Sequence, residues 1–192
     1  MTAESKQTQH LEEEMLSSEL IYDGRILHVT RDVVRMENGS EAFREVVHHP
    51  GGACVVPLTA DRQVIMVRQF RYPYLETTLE VPAGKLEYGE DPKACAEREL
   101  LEEAGASADA LEPLGQLYPT PAYDTEIIRM YLARNIRQGQ GQHLDPDEFL
   151  DVVQLPLEEA VAMVMRGEIR DAKTQIALLK TAMLLQQDDA AR

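Results

Sequence analysis

Cysteine, positive charge and long apolar runs are all scarce in this sequence, and each scarcity excludes a class of protein. The two cysteines, Cys54 and Cys95, are too few for a disulfide scaffold and lack zinc-ligand spacing. Cys54 lies in an apolar run and reads as a small buried residue, and both thiols are expected to be reduced and inert. The longest uncharged apolar runs, such as Ala53 to Leu58 and Val64 to Val67, fall far short of a bilayer core of about 30 Å. Met1 to Gln9 carries no basic cluster followed by an apolar stretch, so no secretory signal is visible and a soluble, cytoplasmic protein is expected. Lys and Arg number 19 against 34 Asp and Glu, a formal charge of −15. Only Arg68-Gln69-Phe70-Arg71 is densely basic, which makes nucleic acid and anionic membrane poor partners. A phosphate-bearing substrate would need local positive charge, most economically from a divalent metal.

What is present is enough for one domain of ordinary size with a modest extension: 192 residues, 44% of them apolar. Residues 1–18 are polar, with Glu12-Glu13-Glu14 in a row, and read as a frayed or loosely docked lead-in. Residues 19–50 switch to short β-type runs. Ile26 to Val29, Val33 to Met36 and Phe43 to His48 are expected strands, the last two joined at the hairpin signal Asn38-Gly39. Pro50-Gly51-Gly52 marks a boundary. A three-strand piece is too small to be stable alone, so it must pack on the main body or on another subunit.

The main body, residues 51–192, opens with Ala53 to Leu58 and Gln63 to Arg71 as strands. On the second, Val64, Met66, Arg68 and Phe70 share one face, and Ile65, Val67, Gln69 and Arg71 the other. Thr78 to Val81, Leu114 to Tyr118, Glu126 to Ala133 and Phe149 to Leu155 read as further strands. Asp91-Pro92 opens a helix that Gly105 closes. Two helices finish the chain, Leu157 to Arg166 and Ala172 to Gln186, the second with Ile176, Leu179, Ala182 and Leu185 at helical spacing. Strands and helices mix without a regular βαβ alternation, which predicts an α+β or three-layer fold.

The chemistry is concentrated between Gly84 and Gly105. At about 100° per residue, Glu99, Glu102 and Glu103 fall within an arc of about 100°. Three carboxylates on one helix face repel one another unless something positive lies over them. A generic Glu-rich face is simply solvated, whereas a hard divalent cation such as Mg²⁺ or Mn²⁺, held by oxygen ligands, removes the conflict. The punctuation decides between the two. Gly84, Glu90, Arg98, Glu99, Leu100, Glu102, Glu103, Gly105 and Ala106 follow a long, gapped pattern: Gly, five residues, Glu, seven residues, Arg-Glu-apolar-any-Glu-Glu-any-Gly-apolar.

That pattern matches the Nudix box at each defined position, and the chain resembles a Nudix hydrolase. The resemblance implies a Nudix fold, a mixed β-sheet sandwiched between helices, here with a small N-terminal antiparallel strand subdomain. It assigns Glu99, Glu102 and Glu103 to divalent-metal binding, and Arg98 to orienting a glutamate of the helix by a charge-assisted hydrogen bond. Glu90 would pin the loop to the helix. Outside the box, Val67 to Arg71, Leu79 to Gly84, Tyr118-Pro119-Thr120-Pro121 and Asp147 to Val152 look like the ADP-ribose pyrophosphatase branch.

From that branch the resemblance implies further roles. Ala83 would offer its backbone carbonyl to a metal, and Arg71 would meet the pyrophosphate. Arg44, with Phe43, would hold the adenine, and Glu126 would contact the terminal ribose. Glu148 aligns best with the loop carboxylate that activates water, with Asp147 its neighbouring alternative and Asp145 a third choice. Plainer roles compete: a surface ion pair for Arg71, an exposed strand position for Arg44, a salt bridge for Glu126. The five histidines show no ligand spacing. The branch also implies a homodimer with exchanged N-terminal strands. The expected activity is Mg²⁺- or Mn²⁺-dependent hydrolysis of a small nucleotide-sugar substrate, ADP-ribose, to AMP and ribose 5-phosphate. GDP-mannose or a dinucleoside compound is the alternative within the same chemistry. A Nudix-fold module that binds a nucleotide without cleaving it is the rival from another class, and the complete set of box carboxylates speaks against it.

Overall fold

Which segments become strands is decided here as much by cross-strand charge as by apolar alternation. The computed structural model describes residues 9–139, 141–144 and 148–191. It forms two units, one from the residues up to His49 together with Thr120–Glu126, the other from Pro50–Pro119 and Ile127 onward.

In the first unit β1 (Glu14–Asp23), β2 (His28–Arg35) and β3 (Glu41–His48) form an antiparallel sheet in that order. β1 corrects the sequence expectation. The strand begins at Glu14, inside the expected lead-in, and Ile26–Leu27 belongs to the turn after it, where Gly24 N donates to Leu27 O at 2.8 Å. Almost every β1 side chain is exposed, so no apolar rhythm announces the strand. Its register instead sets Glu14 opposite Arg35 and Glu19 opposite Arg31, with ion pairs of 2.6 and 2.7 Å. The Asn38-Gly39 hairpin forms as expected, with Met36 N donating to Ser40 O at 2.9 Å. The segment Thr120–Glu126 runs beside β3, bonded through Val47 N to Tyr123 O at 2.7 Å and Thr125 N to Val47 O at 3.0 Å.

The second unit holds β4 (Gly52–Pro57), β5 (Gln63–Arg71), β6 (Glu76–Glu80), β7 (Ala83–Lys85), α1 (Pro92–Ala104), β8 (Ala106–Ser107), β9 (Ala110–Leu117), β10 (Ile128–Arg134), β11 (Arg137–Gln138), β12 (Leu150–Pro156), α2 (Leu157–Met165) and α3 (Ala172–Ala190). Strands pair in the orders β7-β4-β10-β9, β12-β5-β6 and β11-β8, with β4 and β10 parallel. β7, β8 and β11 are too short for any periodicity to reveal. β4 is buried throughout. Its Ala53 and Val55 pack in one core cluster with Cys95, Ala96 and Leu100 of α1. Its Cys54 and Val56 pack in a second cluster with Ala160 and Val164 of α2 and Ala177 and Leu178 of α3. Helices therefore cover both faces of a mixed sheet, the expected three layers, and each fully buried leucine such as Leu100 or Leu178 contributes ~1.5–3 kcal/mol.

α3 differs from its expected face. The buried residues are Lys173, Thr174, Ala177, Leu178, Thr181 and Leu185, whereas Ile176 is exposed. The inner stripe opens with two polar residues, and an apolar count slides past them. α1, by contrast, has the ends its sequence announces. Asp91 accepts from Lys93 N and Ala94 N at 3.0 and 3.2 Å, Pro92 sits in the first turn, and Gly105 adopts the left-handed cap at φ 60°. Asp91→Ala is expected to lower the unfolding free energy by ~1 kcal/mol, measured by urea titration.

Candidate active site

α1 carries its carboxylates on the side that faces protein rather than water. Glu99 is 7% exposed and Glu103 3%, while Glu102 is half-buried. One side chain makes the arrangement tolerable. Arg98 forks onto Glu90 through Nε and Nη2 at 2.9 and 3.0 Å, and its Nη1 reaches Glu99 Oε1 at 2.6 Å and Glu102 Oε2 at 3.0 Å. Nη2 also donates to Lys85 O at 3.3 Å. The loop before α1 is closed by Glu90, whose carboxylate accepts from Glu87 N at 2.9 Å.

Glu103 lies beyond this fork and accepts from Ala83 N at 2.9 Å. Arg98 holds Glu90 down at about 2. Burial pushes Glu103 up to about 8, against the Ala83 amide, and raises Glu99 against the pull of Arg98. One guanidinium among four carboxyl groups thus leaves their full ionisation uncompensated, and burial favours the neutral form of Glu103 and Glu99. Gly84 lets the cluster close: a Cβ at that position would overlap the Glu99 carboxylate outright.

The donor set fits a hard divalent cation. Glu99, Glu102 and Glu103 offer only oxygen, the Ala83 peptide lies against them, and a cation would favour the ionised form that burial opposes. Among the described residues no three acidic, His or Cys side chains are already gathered to hold an ion. Arg98 engages Glu99 and Glu102 while Glu103 is turned to the Ala83 amide.

Glu148 is half-buried, and its charge raises both Glu99 and Glu103. Asp145 and Asp147, the other candidates for the base, lie outside the described residues. Arg71 is in an ion pair whose carboxylate, not its guanidinium, is buried: Nε and Nη2 meet Glu80 Oε1 and Oε2, each at 2.7 Å. Glu80 also accepts from Thr78 Oγ1 at 2.6 Å and from Lys173 Nζ. Neither Glu80 nor Lys173 was given a role from the sequence, although Glu80 lies in the stretch Leu79 to Gly84. β6 offers two acidic residues, Glu76 and Glu80, and α3 two lysines, Lys173 and Lys180, all of which commonly read as solvated.

The remaining candidates lie in the first unit. Arg44 pairs with Glu13, Nε to Oε2 at 2.9 Å. Phe43 is 68% exposed, and the Arg31 guanidinium lies 5.8 Å from its ring centroid. Glu126 is 3.5 Å from His49 Nδ1, a contact that sequence spacing gave no hint of.

Comparison with known proteins places these features in a family. Residues 48–177 match the NUDIX domain, and residues 13–47 match the nucleoside diphosphate sugar hydrolase N-terminal domain. The chain is 38% identical to an ADP-ribose pyrophosphatase of Bacillus subtilis over 92% of its length and 98% of that protein. It is 39% identical to a methanol dehydrogenase activator of Bacillus methanolicus, covering 87% and 91%. A GDP-mannose pyrophosphatase of Citrobacter koseri is 33% identical, covering 79% and 84%. A solved ADP compounds hydrolase superposes with a TM-score of 0.80 over 92% of this chain and 96% of that one, at 22% identity, which concerns the fold.

Two outcomes follow from this geometry. Gly84→Ala displaces the Glu99 carboxylate and is expected to reduce turnover ~10²-fold with an unchanged far-UV CD spectrum; turnover within about twofold of the parent would mean that Glu99 moves aside freely. The second outcome concerns acid. Burial would raise Glu80, but Arg71 and Lys173 outweigh it and hold the carboxyl at about 2 against an ordinary 4.5. The stabilisation from this depressed group is present above pH 4.5 and is lost as pH falls through about 2. Urea unfolding across that window is expected to show a shallower loss of stability in Glu80→Gln than in the parent.

Proposed function

The chain belongs to the Nudix family, and from this premise we propose that it hydrolyses the pyrophosphate linkage of ADP-ribose, giving AMP and ribose 5-phosphate. The observation that carries the reading is the gathering of four carboxyl groups around one guanidinium, with the Glu103 anion so disfavoured by burial that the group is pushed up to about 8. ADP-ribose is favoured because residues 13–47 match the N-terminal domain of nucleoside diphosphate sugar hydrolases and the Bacillus subtilis relative is an ADP-ribose pyrophosphatase. GDP-mannose is the second reading, favoured by the Citrobacter koseri relative.

Glu99, Glu102, Glu103 and the Ala83 carbonyl would hold Mg²⁺ or Mn²⁺. When bound, the cation withdraws charge from the diphosphate oxygens and makes water easier to deprotonate. Arg98 aims Glu99 and Glu102 through its Nη1, and the Ala83 amide fixes Glu103. Glu148 accepts the proton of the attacking water as the new P–O bond forms and the bridging P–O bond breaks, the departing phosphate monoester taking the electron pair. Arg71 receives the pyrophosphate, Phe43 and Arg44 the adenine, and Glu126 the terminal ribose. The enzyme acts as a homodimer with exchanged N-terminal strands, a reading supported by the exposure of Met15, Leu20, Ile21 and Tyr22 on β1.

The decisive assay incubates the protein with ADP-ribose, GDP-mannose and dinucleoside polyphosphates, with Mg²⁺ or with EDTA, and resolves products by chromatography. AMP and ribose 5-phosphate from ADP-ribose, abolished by EDTA, are expected; faster turnover of GDP-mannose would favour the second reading, and tight binding without products would overturn hydrolysis. Glu148→Gln should keep metal and substrate affinity while turnover falls ~10²–10⁴-fold. Near-parent turnover in that variant would move the base to another loop carboxylate. Light scattering at micromolar concentration should return a dimer mass, and a monomer would count against strand exchange.

A further inference from the structure

The Arg71–Glu80 pair poses an electrostatic problem for an arginine that is to receive a diphosphate. A carboxylate bound to both Nε and Nη2 cancels much of the field the guanidinium offers to another anion. Arg71 is nevertheless 39% exposed, with Nη1 outside that pair. The structure resolves the conflict by dividing Glu80 between two cations. Lys173 Nζ bonds the same Oε2 that Arg71 Nη2 contacts. Lys173 is itself buried, and its other carboxylate partner is Asp171 Oδ1 at 3.0 Å. Burial lowers the Lys173 ammonium, and Asp171 and Glu80 more than offset this, so the lysine stays charged.

The same turn of α3 is fastened to the backbone. Asp171 caps the helix by accepting from Thr174 N at 2.9 Å, and Thr174 Oγ1 accepts from Val81 N at 3.0 Å. One helical turn thus grips Glu80 by its side chain and Val81 by its amide, immediately before Pro82 and the start of β7 at Ala83-Gly84. We propose that Lys173 is a positioning residue that, by sharing Glu80, keeps the Arg71 guanidinium fixed and net positive toward the substrate diphosphate. This rests on the diphosphate-hydrolase reading and deepens it, because the recognition of the doubly charged linkage is assigned to a chain of four alternating charges: Arg71, Glu80, Lys173 and Asp171.

The test is a double-mutant cycle of Lys173→Met, Glu80→Gln and the two together, with Lys173→Arg as the conservative variant. KM and kcat are read with Mg²⁺ and ADP-ribose, and Kd is read by calorimetry with Mg²⁺ and the α,β-methylene analogue of ADP-ribose. Lys173→Met is expected to raise KM and Kd roughly 10-fold while kcat changes less than about threefold. Lys173→Arg should return both close to the parent. The double variant should recover most of the affinity, because Arg71 is then no longer neutralised; a merely structural role predicts that it is at least as impaired as Lys173→Met. Should Lys173→Met fail to fold, the double variant decides, since it leaves no lone charge at position 80: near-parent Kd supports the inference and a roughly 10-fold weaker Kd overturns it. Parent-like KM and Kd in a folded Lys173→Met overturn this inference alone. A parent protein that neither cleaves ADP-ribose nor binds the analogue overturns the reading beneath it.

Discussion

The structure of the site turns on a shortage of positive charge. Glu90, Glu99 and Glu102 all lean on Arg98, and Glu103 is left with a backbone amide. A protein interior tolerates such crowding only where the geometry is held from several directions at once. Here the helix cap at Asp91, the closed loop at Glu87–Glu90 and the side-chain-free Gly84 each remove one way for the carboxylates to relax. The cluster stores an attraction for cations that the fold, rather than the solvent, maintains.

The layering explains how two helices reach the same neighbourhood from opposite sides. α1 packs on one face of β4 and brings the carboxylates, and α3 packs on the other and brings Lys173 and Thr174 to the end of β6. The alternation of β4, Ala53 and Val55 one way and Cys54 and Val56 the other, is what allows both contacts across one sheet. Lys173 also reaches Glu103 electrostatically, so the two helices are linked by charge as well as by packing.

How legible a residue was depends on how local its cause is. The ends of α1 were readable because Asp91, Pro92 and Gly105 act within a few residues of themselves. The shared face of Glu99, Glu102 and Glu103 was readable because helical geometry alone fixes it. β1 was not readable, because its side chains are exposed and its register depends on Arg31 and Arg35 in another strand. Glu80 and Lys173 lie 93 positions apart, and nothing near either one in the chain announces the other. The inner face of α3 was misread for the same reason: its first two buried residues are polar and are explained only by partners in β6 and the residue after it.

α3 has two ends of very different character. Its first turn is buried among ionic and hydroxyl contacts, whereas its last turn is tied by exposed pairs, Arg62 to Asp189 at 2.7 Å and Arg134 to Asp188 at 3.1 Å. Exposed pairs of that kind hold weakly, roughly 0–1 kcal/mol each. Local fraying is therefore easier at the Asp188 end than at the Lys173 end, where Asp171 and Thr174 tie the turn to its neighbours. The helix behaves as a graded element whose outer end can loosen, or be clipped, without releasing the grip of its inner end on the strand.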